Sequence, residues 1–372
     1  MKIGIITFHN SYNCGSMLES YAMQTIVQRL GYDTEIVNFS SEGQKNIYAT
    51  RFKNDSIKNI IKNILTIPAI KKIEYNNQKY EEFKQKNFNL TKEYKSGFDI
   101  SETEYNAVIA GSDQIWNITI EDYDDAYFLS WVKKARKIAY APSFGAKKIS
   151  NYTNDEEKYL NYLKEFDYLS IRENNGQKWI KEMIGVDVPV LLDPTLLLEV
   201  EDYNKIEDKS LQEKDKYIFF YCPSFNREIC KFVKKIADKY NLKVITWSTK
   251  SYYFKIIKSF GFTLPEYESP AVYLNLINNA ELVLTTSYHG TIFSTLYQKK
   301  FITIKNGEMY GNDDRVITLL RQLDMEDRLI PYDFDDNYNY LNEVDYTDYK
   351  KKIDVSKAKS IDYLESSLKD ID

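Results

Sequence analysis

Short apolar, β-favouring runs that end in a polar loop and then a helical pattern recur along this chain. That alternation restricts it to mostly parallel sheets covered by helices. The first run is Lys2–Phe8, followed by the loop His9–Gly15 and an amphipathic helix from about Ser16 to Leu30. Gly31 closes the helix and Thr34–Phe39 supplies a second strand, which makes a βαβ unit. Ala107–Ala110, Lys137–Tyr140, Tyr168–Ile171 and Val190–Leu192 repeat the strand pattern. They run into the polar loops that begin at Gly111, Ala141, Arg172 and Asp193. A polar, weakly periodic stretch, Glu199–Lys216, reads as a linker. After it Tyr217–Tyr221 restarts the series, with helix Arg227–Tyr240, strand Lys243–Trp247, helix Ala271–Asn279, strand Leu282–Thr286, helix Thr291–Gln298 and strand Phe301–Ile304.

A length of 372 residues fits two domains. The expected architecture is α/β: two Rossmann-like domains facing a cleft, residues 1–205 and 206–335, and a helical tail at 336–372 that crosses back onto the first. Facing sheets would gather the strand-end loops around one pocket. Residues 45–95 interrupt the first domain with lysine-rich helices such as Ile57–Leu65 and Lys79–Lys86. A basic amphipathic helix suits an anionic membrane surface or a lipid-linked acceptor. A solvated excursion covering an acceptor groove is the preferred reading.

Charge and cysteine usage exclude several classes. A net charge of −5 argues against a nucleic-acid partner, which would show a basic excess. Cys14, Cys222 and Cys230 are too few and too widely spaced for a disulfide framework or a metal site, and free thiols suit a reducing cytoplasm. Nothing reaches the length of a membrane span. The loop after the first strand lacks the GxGxxG fingerprint of a dinucleotide site.

The stretch Glu281–Tyr297 concentrates the chemistry. Thr285, Thr286, Ser287 and His289 lie at a strand's C-terminal end, where a helix read as beginning at Gly290 opens. Open α/β sheets bind ligands at that edge, and free helix amides there attract anions. His289 is one of only two histidines; a satisfied structural histidine is the plain alternative. The polar loops with His9, Asn13 and Gly15, and with Ser112, Asp113, Gln114 and Trp116, reach the same edge from the first domain, on the expected acceptor side.

Asn13–Gln24, Gly111–Asn117, Tyr140–Gly145, Ser170–Glu173, Leu192–Thr195, Asn279–Ser294 and Asp314–Val316 together resemble the polysaccharide pyruvyl transferase family over nearly the whole chain. The resemblance implies a fold like GT-B glycosyltransferases. It also implies pyruvyl transfer from phosphoenolpyruvate to a sugar, which forms a cyclic ketal; the acceptor is lipid-linked or nucleotide-linked. Such a reaction needs an acid/base titrating near neutrality, for which His289 is the candidate, with Asp113 as base or hydroxyl orienter. It also needs cations for a carboxylate and a phosphate, a task that suits arginine's fork. Among eight arginines, Arg172 is the first choice for that clamp, Arg315 second and Lys305 third, assisted by Ser287 and the amides after Gly290. The competing readings for the arginines are salt bridges, of Arg172 with Glu173 or Asp193 and of Arg315 with Asp313 or Asp314. Ser287 stands where some relatives carry an arginine, and Val272 where many carry an acid.

No cofactor or metal is expected beyond phosphoenolpyruvate as co-substrate, and the expected place is the cytoplasm, at the membrane's inner face if the basic helices dock there. Two other functions compete: a GT-B glycosyltransferase using a nucleotide sugar, and a non-catalytic scaffold of envelope biosynthesis. Arg172 and His289 lying far apart would favour the scaffold.

Overall fold

A computed structural model describes residues 1–101, 105–305 and 314–371. The strands form two separate parallel sheets. In the first half β1 (Lys2–Ile6) leads through α1 (Cys14–Arg29) to β2 (Asp33–Ile36). The helices α2 (Glu42–Tyr48), α3 (Ile57–Thr66) and α4 (Ile70–Asn87) form the excursion. Then come β3 (Ala107–Ala110), β4 (Arg136–Ala139), α5 (Glu156–Lys164) and α6 (Asn174–Ile184). The sheet order is β2-β1-β3-β4, with Ile5 paired to Ile36 on one side and to Ile109 on the other.

Helix α7 (Val200–Asn204) precedes the second sheet. That half runs β5 (Tyr217–Tyr221), α8 (Arg227–Tyr240), β6 (Lys243–Thr246), α9 (Thr249–Phe254), α10 (Pro270–Asn279), β7 (Leu282–Thr285), α11 (Tyr288–Leu296) and β8 (Phe301–Ile304). Helix α12 (Asp314–Gln322) and β9 (Leu329–Ile330) complete the sheet in the order β6-β5-β7-β8-β9. All residues of β3, β5, β7 and β8 are buried, as expected of parallel strands covered on both faces. The largest core cluster joins Ile5 and Met17 of the first half to Tyr221 and Phe293 of the second and to Leu364 near the C-terminus.

Three segments depart from the sequence reading. Tyr168–Ile171 and Val190–Leu192 are not full strands; single bridges, Ile138 to Tyr168 and Ile171 to Val190, extend the sheet edge. Ser170 explains part of this: its hydroxyl donates to the Ala139 carbonyl and accepts from the Ala141 N–H, taking the place of ladder bonds. The presumed linker Glu199–Lys216 holds α7, where Asp202 takes both guanidinium nitrogens of Arg29, at 2.6 and 3.0 Å. Finally, α11 starts two residues before Gly290.

The last helix, α13 (Tyr349–Leu368), spans both halves. Near its start, Lys352 pairs with Asp324 of the second half. Farther along, Ser360 accepts from the Leu192 N–H and Tyr363 donates to the Ala139 carbonyl, both of the first half. Its final turn is held by Tyr32 on the Leu368 carbonyl and Arg136 on the Ser367 carbonyl.

Candidate active site

Ser287 caps α11, its hydroxyl accepting the Gly290 N–H at 3.3 Å. This cap places His289 in the helix's first turn. Gly290 is needed for the close turn out of β7, since a Cβ there would lie 2.2 Å from Thr285 Oγ1.

The His289 ring reaches across to the first half. A Cβ on Gly15 would lie 2.3 Å from its Nδ1, so the imidazole rests on the opening turn of α1. Its Nε2 lies 3.3 Å from Asp193 Oδ2, near enough for ion pairing when protonated but not aligned as a hydrogen bond. Asp193 Oδ2 also accepts from Arg172 at 2.6 Å, while Oδ1 takes the Thr195 N–H and hydroxyl. Burial alone would raise its carboxyl; the charges of His289 and Arg172, with these donors, hold it far below the usual range instead.

Arg172 has no side-chain exposure. Beyond Asp193 its fork reaches Asp113 at 3.5 Å, and its guanidinium lies 4.5 Å from the centre of the Tyr288 ring. Its Nε has no partner. Asp113 adopts φ +68°, uncommon for a residue with a side chain, and accepts from Ser16 at 2.5 Å and from the Gln114 N–H. Burial pushes the Asp113 carboxyl up, but His289, Arg172 and Ser16 outweigh it and keep it below its ordinary value.

A cavity of about 170 Å³ is lined by Ser16, Asp113, Ser287, Tyr288, His289 and Arg315 among others, with Arg172 and Asp193 outside its lining. Asn13 and Gln114 also line it, and Gly15 backs it through its contact with the His289 ring. Arg315 is 3 % exposed, with its guanidinium 5.9 Å from the centre of the Tyr288 ring. Asp122 lies on the same wall, its carboxyl raised by burial to about 6. Behind the wall, burial raises Glu173 to about 7 against the opposing pull of Arg172 and Arg315; one of its oxygens accepts from Ser143 and the Phe144 N–H, and the other has no partner. Among the described residues, no three His, Cys, Asp or Glu side chains converge in a way that would hold a metal ion.

A second cavity of about 330 Å³ adjoins the first, sharing Asn13, Tyr48 and Pro223. It lies between the excursion and the second sheet's C-terminal edge, with Tyr48, Phe52, Tyr80, Tyr221, Trp247 and Phe254 in its walls. Burial, aided by Lys62, lowers the Lys250 ammonium there to about 8, and burial raises Glu268 to about 7.

Several expected positions fall elsewhere. His9 does not line the cavity: it is fully buried, with ring nitrogens on the Thr7 carbonyl and on Asn38 Oδ1, and burial depresses it to about 4. Ser112 donates to the Ala141 carbonyl inside the core. Trp116 is a core residue stacked on Phe128, its N–H on the Tyr127 carbonyl. Lys305 follows β8 as an exposed residue outside the cavity lining. Arg172 is engaged by two carboxylates behind Tyr288, so the cavity-facing arginine is Arg315. Of the salt bridges weighed for Arg315, Asp313 lies outside the described residues, and Asp314 accepts the Asn175 N–H at 2.7 Å.

Sequence reasoning missed Asp193, Ser16 and Tyr288 as site residues. Asp193, opening a turn directly after an apolar run, carried the same signal as Asp113.

Comparison with known proteins adds the family. A family model described as polysaccharide pyruvyl transferase matches residues 13–308. No curated protein matches the sequence. In fold, the chain is similar to UDP-GlcNAc 2-epimerase from Methanocaldococcus jannaschii, at 14% identity and a TM-score of 0.50, covering 100% of this chain and 94% of that one. It is similar also to S. aureus MnaA in a co-structure with UDP, at 11% identity and a TM-score of 0.50, covering 99% and 96%. A weaker likeness, with a TM-score of 0.41 at 12% identity and covering 95% and 99%, is to E. coli heptosyltransferase WaaC with ADP-2-deoxy-2-fluoro heptose. The two facing parallel sheets with their covering helices are the GT-B architecture.

Proposed function

The chain belongs to the polysaccharide pyruvyl transferase family, and from that premise we propose that it moves the pyruvyl group of phosphoenolpyruvate onto two hydroxyls of a sugar, releasing phosphate. The observation that carries the reading is the contact of His289, across the two halves, with Asp193 Oδ2, which Arg172 also engages, at a small cavity into which Arg315 and the first turn of α11 face. The same contact counts against a non-catalytic scaffold.

In this reading the donor's carboxylate and phosphate lie against Arg315, the Ser287 hydroxyl and the α11 N-terminus, whose dipole favours anions. Protonated His289 delivers its proton to the enol methylene, and positive charge develops on the carbon bearing phosphate. A sugar hydroxyl attacks that carbon and surrenders its proton to the now neutral imidazole. The C–O bond to phosphate breaks with its electron pair leaving on the phosphate oxygen, and a second hydroxyl closes the ketal, its proton passing to the departing phosphate. Asp193 steadies the imidazolium at each stage. Asp113, held ionised below its ordinary value, is a weak base near neutrality, so its role is to accept a hydrogen bond from the sugar. Arg172 is a positioning residue that fixes both carboxylates.

The adjoining cavity suits the acceptor, because aromatic faces pack against the C–H faces of a sugar ring while its hydroxyls find polar partners at the rim. Phosphate release from phosphoenolpyruvate, with mass spectrometry of lipid-linked and nucleotide-linked sugar pools, tests the proposal. The expected product is an acceptor heavier by one pyruvyl ketal. Consumption of a nucleotide sugar with phosphoenolpyruvate left intact would replace it with glycosyl transfer.

A further inference from the structure

Helix α3 is amphipathic the wrong way round for a helix covering a core. Ile57, Ile60, Ile61 and Ile64 recur at helical spacing, and they are 78%, 44%, 51% and 59% exposed. Ile67, just past the helix end, continues the stripe at 57%. Lys62, Asn63 and Thr66 are the side chains that turn inward. Asn63 is tied to the Phe52 backbone on both its N–H and carbonyl, Thr66 is buried, and the Lys62 ammonium sits over the rings of Phe52 and Phe254. A surface helix of a soluble domain normally buries its apolar stripe, and a contiguous exposed stripe of this kind marks an interaction site.

The charge around the stripe selects the occupant. Between residues 51 and 72 the chain carries Arg51, Lys53, Lys58, Lys62, Lys71 and Lys72 against a single acid, Asp55, although the whole protein is net negative at −5. Arg51 and Lys53 before the helix, Lys58 within it and Lys71 after it are exposed. A second copy docking through the same face in a two-fold dimer would set these cations against themselves. A surface of anionic lipid headgroups over an apolar layer complements both features at once, with isoleucines in the acyl boundary and lysines at the phosphates. We propose that α3 is a peripheral membrane anchor which lies flat in the interface of an anionic bilayer. Among the described residues no helix is long and apolar enough to cross a membrane, so contact of this kind lies on the surface.

The anchor adjoins the larger cavity. Phe52 and Phe254, which hold Lys62 from below, are in that cavity's wall, so the bilayer would lie beside its mouth. The surface itself does not depend on the reaction assigned above.

Sedimentation of the full chain with vesicles tests the proposal. The parent protein should pellet with phosphatidylglycerol–phosphatidylethanolamine vesicles, far less with phosphatidylcholine alone, and less as salt rises. The triple variant Ile57→Ser, Ile61→Ser, Ile64→Ser should lose more than about tenfold in partitioning. Lys53→Glu with Lys58→Glu, which leaves the stripe intact, should abolish the preference for anionic lipid. A parent protein that stays in the supernatant overturns the proposal, as does a triple variant that pellets equally well. So does a parent dimer that the triple variant converts to monomer without any vesicle binding, which would make the stripe a contact between proteins.

Discussion

The two histidines occupy comparable places, each just past the C-terminal end of a central strand, and they have opposite fates. After β1, His9 turns inward, and Thr7 and Asn38 engage its two nitrogens. After β7, His289 is carried by a helix turn whose cap Ser287 aims it at the facing half, where Nε2 meets a carboxylate without an aligned hydrogen bond. Arrival at a sheet's ligand edge is therefore not enough to make a working imidazole. What differs is whether the surrounding polar groups already satisfy the ring. A ring satisfied by its own half contributes to stability, and one left poised against the other half keeps open the acid/base role proposed for it.

Exchanging the two roles by mutation gives the largest expected effect. His289→Ala should cut turnover by about 10²–10⁴ with a nearly unchanged thermal midpoint. His9→Ala should leave turnover intact and lower the midpoint, since it empties a fully buried ring site and removes the ring's hydrogen bonds to Thr7 and the half-buried Asn38, at a cost of about 1–3 kcal/mol. Steady-state kinetics and calorimetry on both proteins decide this, and a reversed pattern would break the comparison.

The arginines extend it. Arg172→Ala leaves Asp193 and Asp113 buried without their cation and should destabilise the fold by about 3–5 kcal/mol. Arg315→Ala should keep the fold and raise the KM for phosphoenolpyruvate by about 10- to 100-fold, the worth of one charge-assisted contact. Unchanged donor KM in a folded Arg315→Ala protein would move the anion clamp elsewhere.

Gly15→Ala sharpens the geometric side, because the new methyl would strike the His289 ring. Displacement by about an ångström should cost roughly 10²-fold in kcat, with the donor KM little altered.

The smallest effect is in pH. His9 has a folded pKa near 4 against 6.5 when unfolded, so its contribution is present above pH 6.5 and is lost as pH falls toward 4. Between pH 7 and pH 5 that amounts to about 2 kcal/mol. Glu173, raised to about 7, slopes the other way: its contribution is present below pH 4.5 and lost as pH rises through 7. Chemical denaturation of His9→Gln and Glu173→Gln across this range should flatten each slope separately.

The alternation of apolar runs and helix patterns made most of the architecture legible, because parallel strands buried on both faces are written as unbroken apolar runs; Ala107–Ala110 and Phe301–Ile304 were read to the residue. The segments around Tyr168 and Val190 were over-read; at the first, Ser170 satisfies backbone groups of Ala139 and Ala141 from its side chain. Within the site, His289 and Asp113 were visible from strand-end position alone, and the structure brings both to one cavity. The inward turn of His9 and Trp116 was not visible, because a loop's polarity does not say which side chain Asn38 or Tyr127 will capture. Nor could the sequence show that Arg172 would be held behind Tyr288, since that depends on two carboxylates from distant loops.

Helix α13 gives the molecule a second tie between its halves, and two crossings behave differently from one. A single linker permits twisting as well as bending, whereas a pair confines relative motion to a hinge about the line through both. The imidazole of His289 belongs to one leaf of that hinge, and Gly15 and Asp193 to the other. Any hinge opening about that line would separate the imidazole from the Asp193 carboxylate, and closing would restore the pair.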